Sequence, residues 1–132
     1  MKKIQNYING KLISPNSNSY INNYDPSNGK IYSLIPNSNE KDVDIAVKAA
    51  KKAFMSWSKS NKEVRMNFLI AMADEIEKQK LKFIKAESRD NGKPEWLAEK
   101  VDIPRSSANL KFFARAILHY GSEFHETNES VM

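Results

Sequence analysis

The chain has 132 residues, a formal net charge of +5 and no cysteine. At roughly 100–200 residues per domain this is one domain or a piece of one, and 40% hydrophobic with 10% aromatic residues is a globular composition. The missing cysteine excludes disulfides, thiolate zinc sites, iron–sulfur ligation and a cysteine nucleophile within these residues.

The N-terminal stretch, 1–38, reads as strands and turns. Tyr7-Ile8-Asn9-Gly10-Lys11-Leu12-Ile13 is a hairpin signal, because Asn-Gly supplies the two positive-φ positions of a type I′ turn. Tyr20-Ile21-Asn22-Asn23-Tyr24 is a second strand. Asp25-Pro26-Ser27-Asn28-Gly29 is a turn, and Lys30-Ile31-Tyr32-Ser33-Leu34-Ile35 returns as a third strand. In that turn Pro presets φ and Gly accepts the left-handed conformation. So thin a set of strands must lean on the helices that follow.

The helical part, 39–121, opens at Asn39, a good N-cap, with Asp42 three residues on at the positive end of the helix dipole. Val43, Ala46, Val47, Ala50, Phe54 and Trp57 then follow at spacings of three and four, which predicts one apolar stripe along a helix of about five turns. Ser60-Asn61-Lys62-Glu63 reads as a capping box for a second helix striped by Val64, Leu69, Met72, Ala73 and Ile76. A third covers about 81–90 and stops at Asn91-Gly92, where Gly suits the C′ position. Pro94 is expected at N1 of a fourth helix over about 95–102, and Pro104 to interrupt or restart it. A fifth apolar run, Ala108, Phe112, Phe113, Ala116, Ile117 and Tyr120, ends at Gly121; the tail 122–132 is polar and unpatterned.

Tests for chemistry give little. The four glycines are Gly10, Gly29, Gly92 and Gly121, so no G-x-G-x-x-G loop exists, and Glu87 stands where a phosphate loop ending at Gly92-Lys93 needs its first glycine. His119 and His125, with Glu123 and Glu126 nearby, lack the third ligand and frame of a zinc site. Glu75 and Glu77, and Asp42 and Asp44, are expected on solvated helix faces, and Trp57 and Trp96 as core anchors. Seventeen Lys against four Arg, dispersed among acidic partners, describe a solvated surface rather than a nucleic-acid footprint. The N-terminus has no apolar core of a secretory signal and no apolar run approaches a membrane span, so a soluble, cytoplasmic chain with no nucleic-acid or membrane partner is expected. From the residues alone this is a soluble α+β piece with a helical majority.

The order of the signals resembles the N-terminal portion of the NAD(P)-dependent aldehyde dehydrogenases. The resemblance runs through Tyr7-Ile8-Asn9-Gly10-Lys11, Tyr24-Asp25-Pro26-Ser27-Asn28-Gly29-Lys30, Asp42-Val43-Asp44-Ile45-Ala46-Val47 with Ala53-Phe54 and Trp57, and Arg65 with Leu69, Ala73 and Ile76. It continues in Glu87 with Asp90-Asn91-Gly92-Lys93-Pro94, and in Val101-Asp102-Ile103-Pro104-Arg105 with Phe112-Phe113-Ala114. It covers about residues 5–121. The last of these stretches is most similar to the branch acting on semialdehydes and betaine aldehyde.

The resemblance implies an α/β chain, with N-terminal β-hairpin strands and about five α-helices, forming an incomplete piece of that family's cofactor-binding, Rossmann-like domain. In the full-length family a cysteine thiolate attacks the aldehyde, hydride passes to NAD or NADP, and a glutamate base activates the water that releases the acid. None of those residues maps onto this chain, so no catalytic and no cofactor-binding residue is assigned, and no cofactor is expected to bind it alone. The implied partner is the remainder of an aldehyde dehydrogenase chain or a homologous subunit, and a homo-oligomer is implied for the full-length form. The alternative is a standalone oligomerisation or interaction module joining a full-length or split enzyme. One site carries over by resemblance: a K+ or Na+ ion held by the backbone carbonyls of Asn23 and Tyr24 and the carboxylate of Asp90, set against the plainer reading in which Asp90 only hydrogen-bonds near its helix end.

Overall fold

A computed structural model describes residues 1–121; the polar tail, with His125, lies outside the described residues. Five strands come first: β1 (Lys2–Lys3), β2 (Asn6–Ile8), β3 (Lys11–Ile13), β4 (Tyr20–Asp25) and β5 (Lys30–Pro36). The Asn-Gly hairpin forms as expected. Asn9 and Gly10 take φ of 52° and 76°, and β2 pairs antiparallel with β3, Tyr7 opposite Leu12. The other strands make a second sheet in the order β1-β5-β4. Its outer strand β1 was not legible: two exposed lysines show no alternation, and their parallel partners, Ser33 and Leu34, lie some thirty residues on.

The helices are α1 (Glu40–Trp57), α2 (Lys62–Lys78), α3 (Lys80–Asn91), α4 (Glu95–Leu97) and α5 (Ile103–His119), with a π-helical turn, Ala98–Asp102, between the last two. Asn39 caps α1 through the backbone N–H groups of Lys41 and Asp42, and the Asp42 carboxylate returns the bond to Asn39 N–H at 2.9 Å. Asp42 is not solvated as expected: it is 4% exposed and also accepts from Asn16 N–H at 2.8 Å, which ties the loop after β3 to the helix start.

Three helix boundaries differ from expectation. Asn61, not Ser60, caps α2, accepting from Val64 N–H at 3.0 Å, because the Ser60 hydroxyl donates back to the Trp57 carbonyl at 2.6 Å. Pro94 is the N-cap of α4 rather than its first residue. The fourth helix does not run regularly to about 102: α4 stops at Leu97, a π-helical turn follows, and Pro104 lies in the first turn of α5, the restart expected of it. Ile103 N–H donates to the Ala98 carbonyl, a five-residue step, and the wide turn absorbs the proline one residue before its missing N–H would be needed.

The core is small. Ile84, Ala98 and Ile103 are buried together with Ile76 against them, and Ala73 and Ala114 are fully buried. The most extensive helix contact is between α2 and α5. By contrast α1 buries only Asp42, leaving Phe54 64% exposed. The expected tryptophan anchors are likewise uncovered, Trp57 at 41% and Trp96 at 60% exposure. Trp57 meets the Phe68 ring of α2 edge-on, with centroids 5.4 Å apart, but that contact does not bury it, and Trp96 stays exposed. No helix among the described residues is long and apolar enough to cross a membrane.

Candidate functional site

The polar cluster with the most converging side chains lies where the β4–β5 hairpin meets the end of α3. Between Asn23 and Tyr24 the ladder shifts register: Asn23 faces Ser33 while Tyr24 faces Ile31. Tyr32 is therefore the extra residue of a bulge, and a bulge re-aims side chains. The Tyr32 hydroxyl donates to Asp90 Oδ1 at 2.5 Å. Asn23 Nδ2 lies 3.2 Å from the same Oδ1, 2.9 Å from the Tyr32 oxygen and 3.2 Å from Ser33 Oγ. The Arg89 guanidinium stacks over the Tyr32 ring, 4.5 Å from its centroid.

The turn below is held by Asp25, 8% exposed. Its carboxylate accepts from the Ser27 hydroxyl at 2.5 Å and from Ser27 N–H at 3.0 Å, and Arg89 Nε lies 3.7 Å from its other oxygen. Gly29, at φ 68°, closes the turn by donating to the Asp25 carbonyl at 2.8 Å. Gly92 ends α3 in the left-handed conformation, φ 77°, directly against Pro26. Sequence thus delivers the Asn23, Tyr24 and Asp90 region to one place through two glycine-dependent turns and a bulge.

The electrostatics are set by hydrogen bonds. Donation from the Tyr32 hydroxyl, then from Asn23, holds the Asp90 carboxyl below its ordinary range. Acceptance by Asp90, with desolvation adding to it, holds the Tyr32 phenol above its own. The Ser27 hydroxyl lowers Asp25, with Arg89 a smaller contribution. Between these limits the site carries an ionised carboxylate and a protonated phenol, a hard oxygen donor set without an acid–base pair poised near neutrality.

Among the described residues, both side-chain hydrogen bonds to Asp90 fall on Oδ1, and none is made to Oδ2. Backbone carbonyls at a bulge and one carboxylate oxygen are suitable ligands for an alkali ion. No group of three or more His, Cys, Asp or Glu that could hold a metal occurs among the described residues. Sequence reasoning missed Tyr32 and Arg89. Only the one-residue register shift aims Tyr32 at α3, and a bulge is silent in a run that alternates normally.

The expectation for the remaining carboxylates holds in part. Glu75 is exposed and pairs locally with Lys78 at 3.6 Å. Glu77 instead ties α2 to α5, accepting from the buried Ser107 hydroxyl at 2.5 Å and from Lys111 Nζ at 2.9 Å. Those bonds, the Ser107 one foremost, lower Glu77, while the bonds to Glu77 and then to Asp74 raise Lys111. Lys93 bridges Asp102 at 2.7 Å and Glu87 at 3.2 Å, fastening the loop after α3 to the π-helical turn. These pairs are partly exposed and tie neighbouring elements together. The sequence holds neither a G-x-G-x-x-G loop nor a cysteine.

Residues 12–132 match the family model described as "Aldehyde dehydrogenase family". The chain is 44% identical over 120 residues to human (Homo sapiens) 2-aminomuconic semialdehyde dehydrogenase, covering 91% of this chain and 24% of that protein. It is 35% identical over 127 residues to 2-hydroxymuconic semialdehyde dehydrogenase of Pseudomonas sp. (strain CF600), covering 96% of this chain and 26% of that one. The fold superposes on the NAD+ complex of an aldehyde dehydrogenase from Bacillus cereus with a TM-score of 0.91 at 26% identity, covering 98% of this chain and 27% of that chain. The chain spans about a quarter of the length of the curated relatives it matches. On the family match, the relatives and the superposed fold together, the chain belongs to the aldehyde dehydrogenase family, as part of its N-terminal region.

Proposed function

We propose that this chain supplies the N-terminal part of an NAD(P)-dependent enzyme that oxidises a semialdehyde to the carboxylic acid. The observation that carries the reading is 44% identity to a semialdehyde dehydrogenase across 91% of the chain. Within this reading, residues 1–38 are the strand portion, 39–121 the helical portion and 122–132 a tail. The nucleophile, the base and the nucleotide loop come from the part of the enzyme that these 132 residues do not match. The chain is therefore inactive alone and binds no NAD or NADP alone. Its partner is the remainder of an aldehyde dehydrogenase chain or a homologous subunit, in a cytoplasmic homo-oligomer.

The same reading gives the Asp90 cluster a role. A K+ or Na+ ion is held by the Asn23 and Tyr24 carbonyls and by Asp90, and pins the β4–β5 hairpin to α3. The bulge between Asn23 and Tyr24 and an Asp90 Oδ2 without a side-chain hydrogen bond among the described residues support this. A second reading, a standalone interaction module, draws support from the uncovered stripes of α1 and α5. It predicts capture of full-length relatives without any gain in catalysis. The test of the main reading is to incubate the purified chain with NAD or NADP and a panel of aldehydes and semialdehydes. No NADH or NADPH above blank is expected; turnover by this cysteine-free chain would overturn it.

A further inference from the structure

The tripeptide Asn-Gly-Lys occurs three times, at Asn9-Gly10-Lys11, Asn28-Gly29-Lys30 and Asn91-Gly92-Lys93. An asparagine followed by glycine can modify itself: the glycine nitrogen attacks the side-chain amide carbon, and without a glycine Cβ the ring closes against little steric resistance. The attack needs a nitrogen free of other bonds and a side chain free to turn toward it. The three copies share a sequence and differ in fold, and the fold separates them.

In two copies the reacting atoms are held. Gly92 N–H donates to the Ser88 carbonyl at 2.9 Å, Asn91 Nδ2 donates to Glu87 Oε1 at 2.6 Å, and Asn91 Oδ1 accepts from Lys93 N–H at 3.0 Å. Pro26 also lies against Gly92, 3.0 Å from the place of a Cβ, so that peptide has no room to swing. Gly29 N–H donates to the Asp25 carbonyl at 2.8 Å, and Asn28 Oδ1 accepts from Lys30 N–H at 2.9 Å. In the remaining copy, Asn9 and Gly10 are both exposed. Among the described residues neither the Asn9 side chain nor the Gly10 N–H makes a hydrogen bond, and a Cβ at Gly10 would have nothing within 4 Å.

We propose that Asn9 is a site of self-modification, which converts it to aspartate and isoaspartate and opens the β2–β3 hairpin. In the first step the bond from Gly10 N to Asn9 Cγ forms and the Cγ–Nδ2 bond breaks; Nδ2 leaves as ammonia, with the proton that Gly10 N gives up. Water then opens the cyclic imide. Cleavage at Cγ gives aspartate, and cleavage at the Asn9 backbone carbonyl carbon gives isoaspartate, in which the main chain runs through the side chain. Nothing is oxidised or reduced, and water is the sole co-reactant. Isoaspartate adds a methylene to a turn in which two residues, at φ 52° and 76°, join Ile8 to Lys11, a geometry with no place for an extra backbone atom. β2 and β3 form a two-stranded sheet of their own, so their pairing depends heavily on that turn. Local structure alone selects among the three copies, whichever enzyme the chain serves.

The 132-residue chain is incubated at mildly alkaline pH, in buffer and in guanidinium chloride, and acid formation at each asparagine is followed by peptide mass spectrometry. In buffer, conversion at Asn9 is expected to run about tenfold faster than at Asn28 or Asn91. In guanidinium chloride the three rates should lie within about threefold of one another. Asn9→Gln is expected to abolish the fast conversion. Amide hydrogen exchange over residues 6–13 is expected to be faster in the isoaspartyl fraction than in Asn9→Asp, which carries the same charge on an unaltered backbone. Similar rates at the three asparagines in buffer, a lead for Asn9 that persists in guanidinium chloride, or fast conversion remaining in N9Q would overturn the site. Equal exchange in the isoaspartyl and N9D chains would overturn the opening of the hairpin.

Discussion

Gly92 and Pro26 meet so closely that a Cβ added to Gly92 would lie 3.0 Å from the Pro26 Cβ. The end of α3 and the tip of the β4–β5 turn approach at a point where only hydrogen fits, and Gly92 is also at φ 77°. Gly29, at φ 68°, has nothing within 4 Å of such a Cβ. Both positions resist alanine through backbone strain of about 1 kcal/mol, and Gly92 adds the clash. Gly92→Ala is expected to destabilise by about 2 kcal/mol against about 1 kcal/mol for Gly29→Ala. Urea midpoints from far-UV circular dichroism check the order; equal losses would deny the contact its role.

The Tyr32–Asp90 bond fixes a pH dependence. Asp90 is held below its ordinary carboxyl range, so its contribution to stability is present above the unfolded value of about 3.9 and disappears as pH falls through the lowered folded value. Tyr32 is held above its ordinary value. Its contribution is complete below about pH 10 and is lost as pH rises through the folded value. Tyr32→Phe is expected to move the Asp90 titration upward, read by carbon-detected NMR of the carboxyl group. An unmoved Asp90 titration would mean the hydroxyl is not its principal partner.

If an alkali ion completes that cluster, exchanging tetramethylammonium chloride for KCl or NaCl at constant ionic strength raises Tm of the chain. Asp90→Asn is expected to abolish the difference, while Asp44→Asn, on the exposed side of α1, preserves it. A salt response that persists in D90N would remove the site. The expected increment follows mass action, about 2.7 kcal/mol at a hundredfold excess over the dissociation constant.

Asp42 provides a contrast within one helix turn. It joins the capping box and also receives Asn16 N–H from the preceding loop. Asp42→Ala removes the carboxylate that accepts from Asn16 and Asn39 N–H and is expected to cost about 2 kcal/mol, whereas Asp44→Ala should fall within about 0.5 kcal/mol of the parent. Equal effects in thermal melts would contradict the structural role given to Asp42.

Local physics made much of this fold legible. Asn9-Gly10, Asn39 with Asp42, and Gly92 each act through a backbone conformation or cap that a few neighbouring residues decide. Long-range pairing was the part that stayed hidden: β1 beside β5, and the bulge that turns Tyr32 toward Asp90. The spacing of the α1 and α5 stripes told where apolar faces would form but not what would cover them, so Trp57 and Trp96 were expected in a core that the described residues do not build. Asn23, Tyr24 and Asp90 were grouped through family resemblance. The hydrogen bond from Asn23 to Asp90 places two of them together, and the donors Tyr32 and Arg89 around them emerged only with the fold.

With so few buried apolar side chains and unpaired strand edges, the isolated chain is expected to unfold broadly and to self-associate. A sharp, cooperative transition in a monomer, seen by calorimetry with sedimentation, would contradict the view that its faces await a partner.

The most direct test of the central claim is catalytic complementation. Residues 1–121 of this chain replace the matched part of human 2-aminomuconic semialdehyde dehydrogenase, and NADH formation from a semialdehyde is followed by absorbance. The account predicts turnover that depends on the relative's own cysteine and is absent from the 132-residue chain alone. A folded chimera without turnover, or turnover by the chain alone, would contradict it.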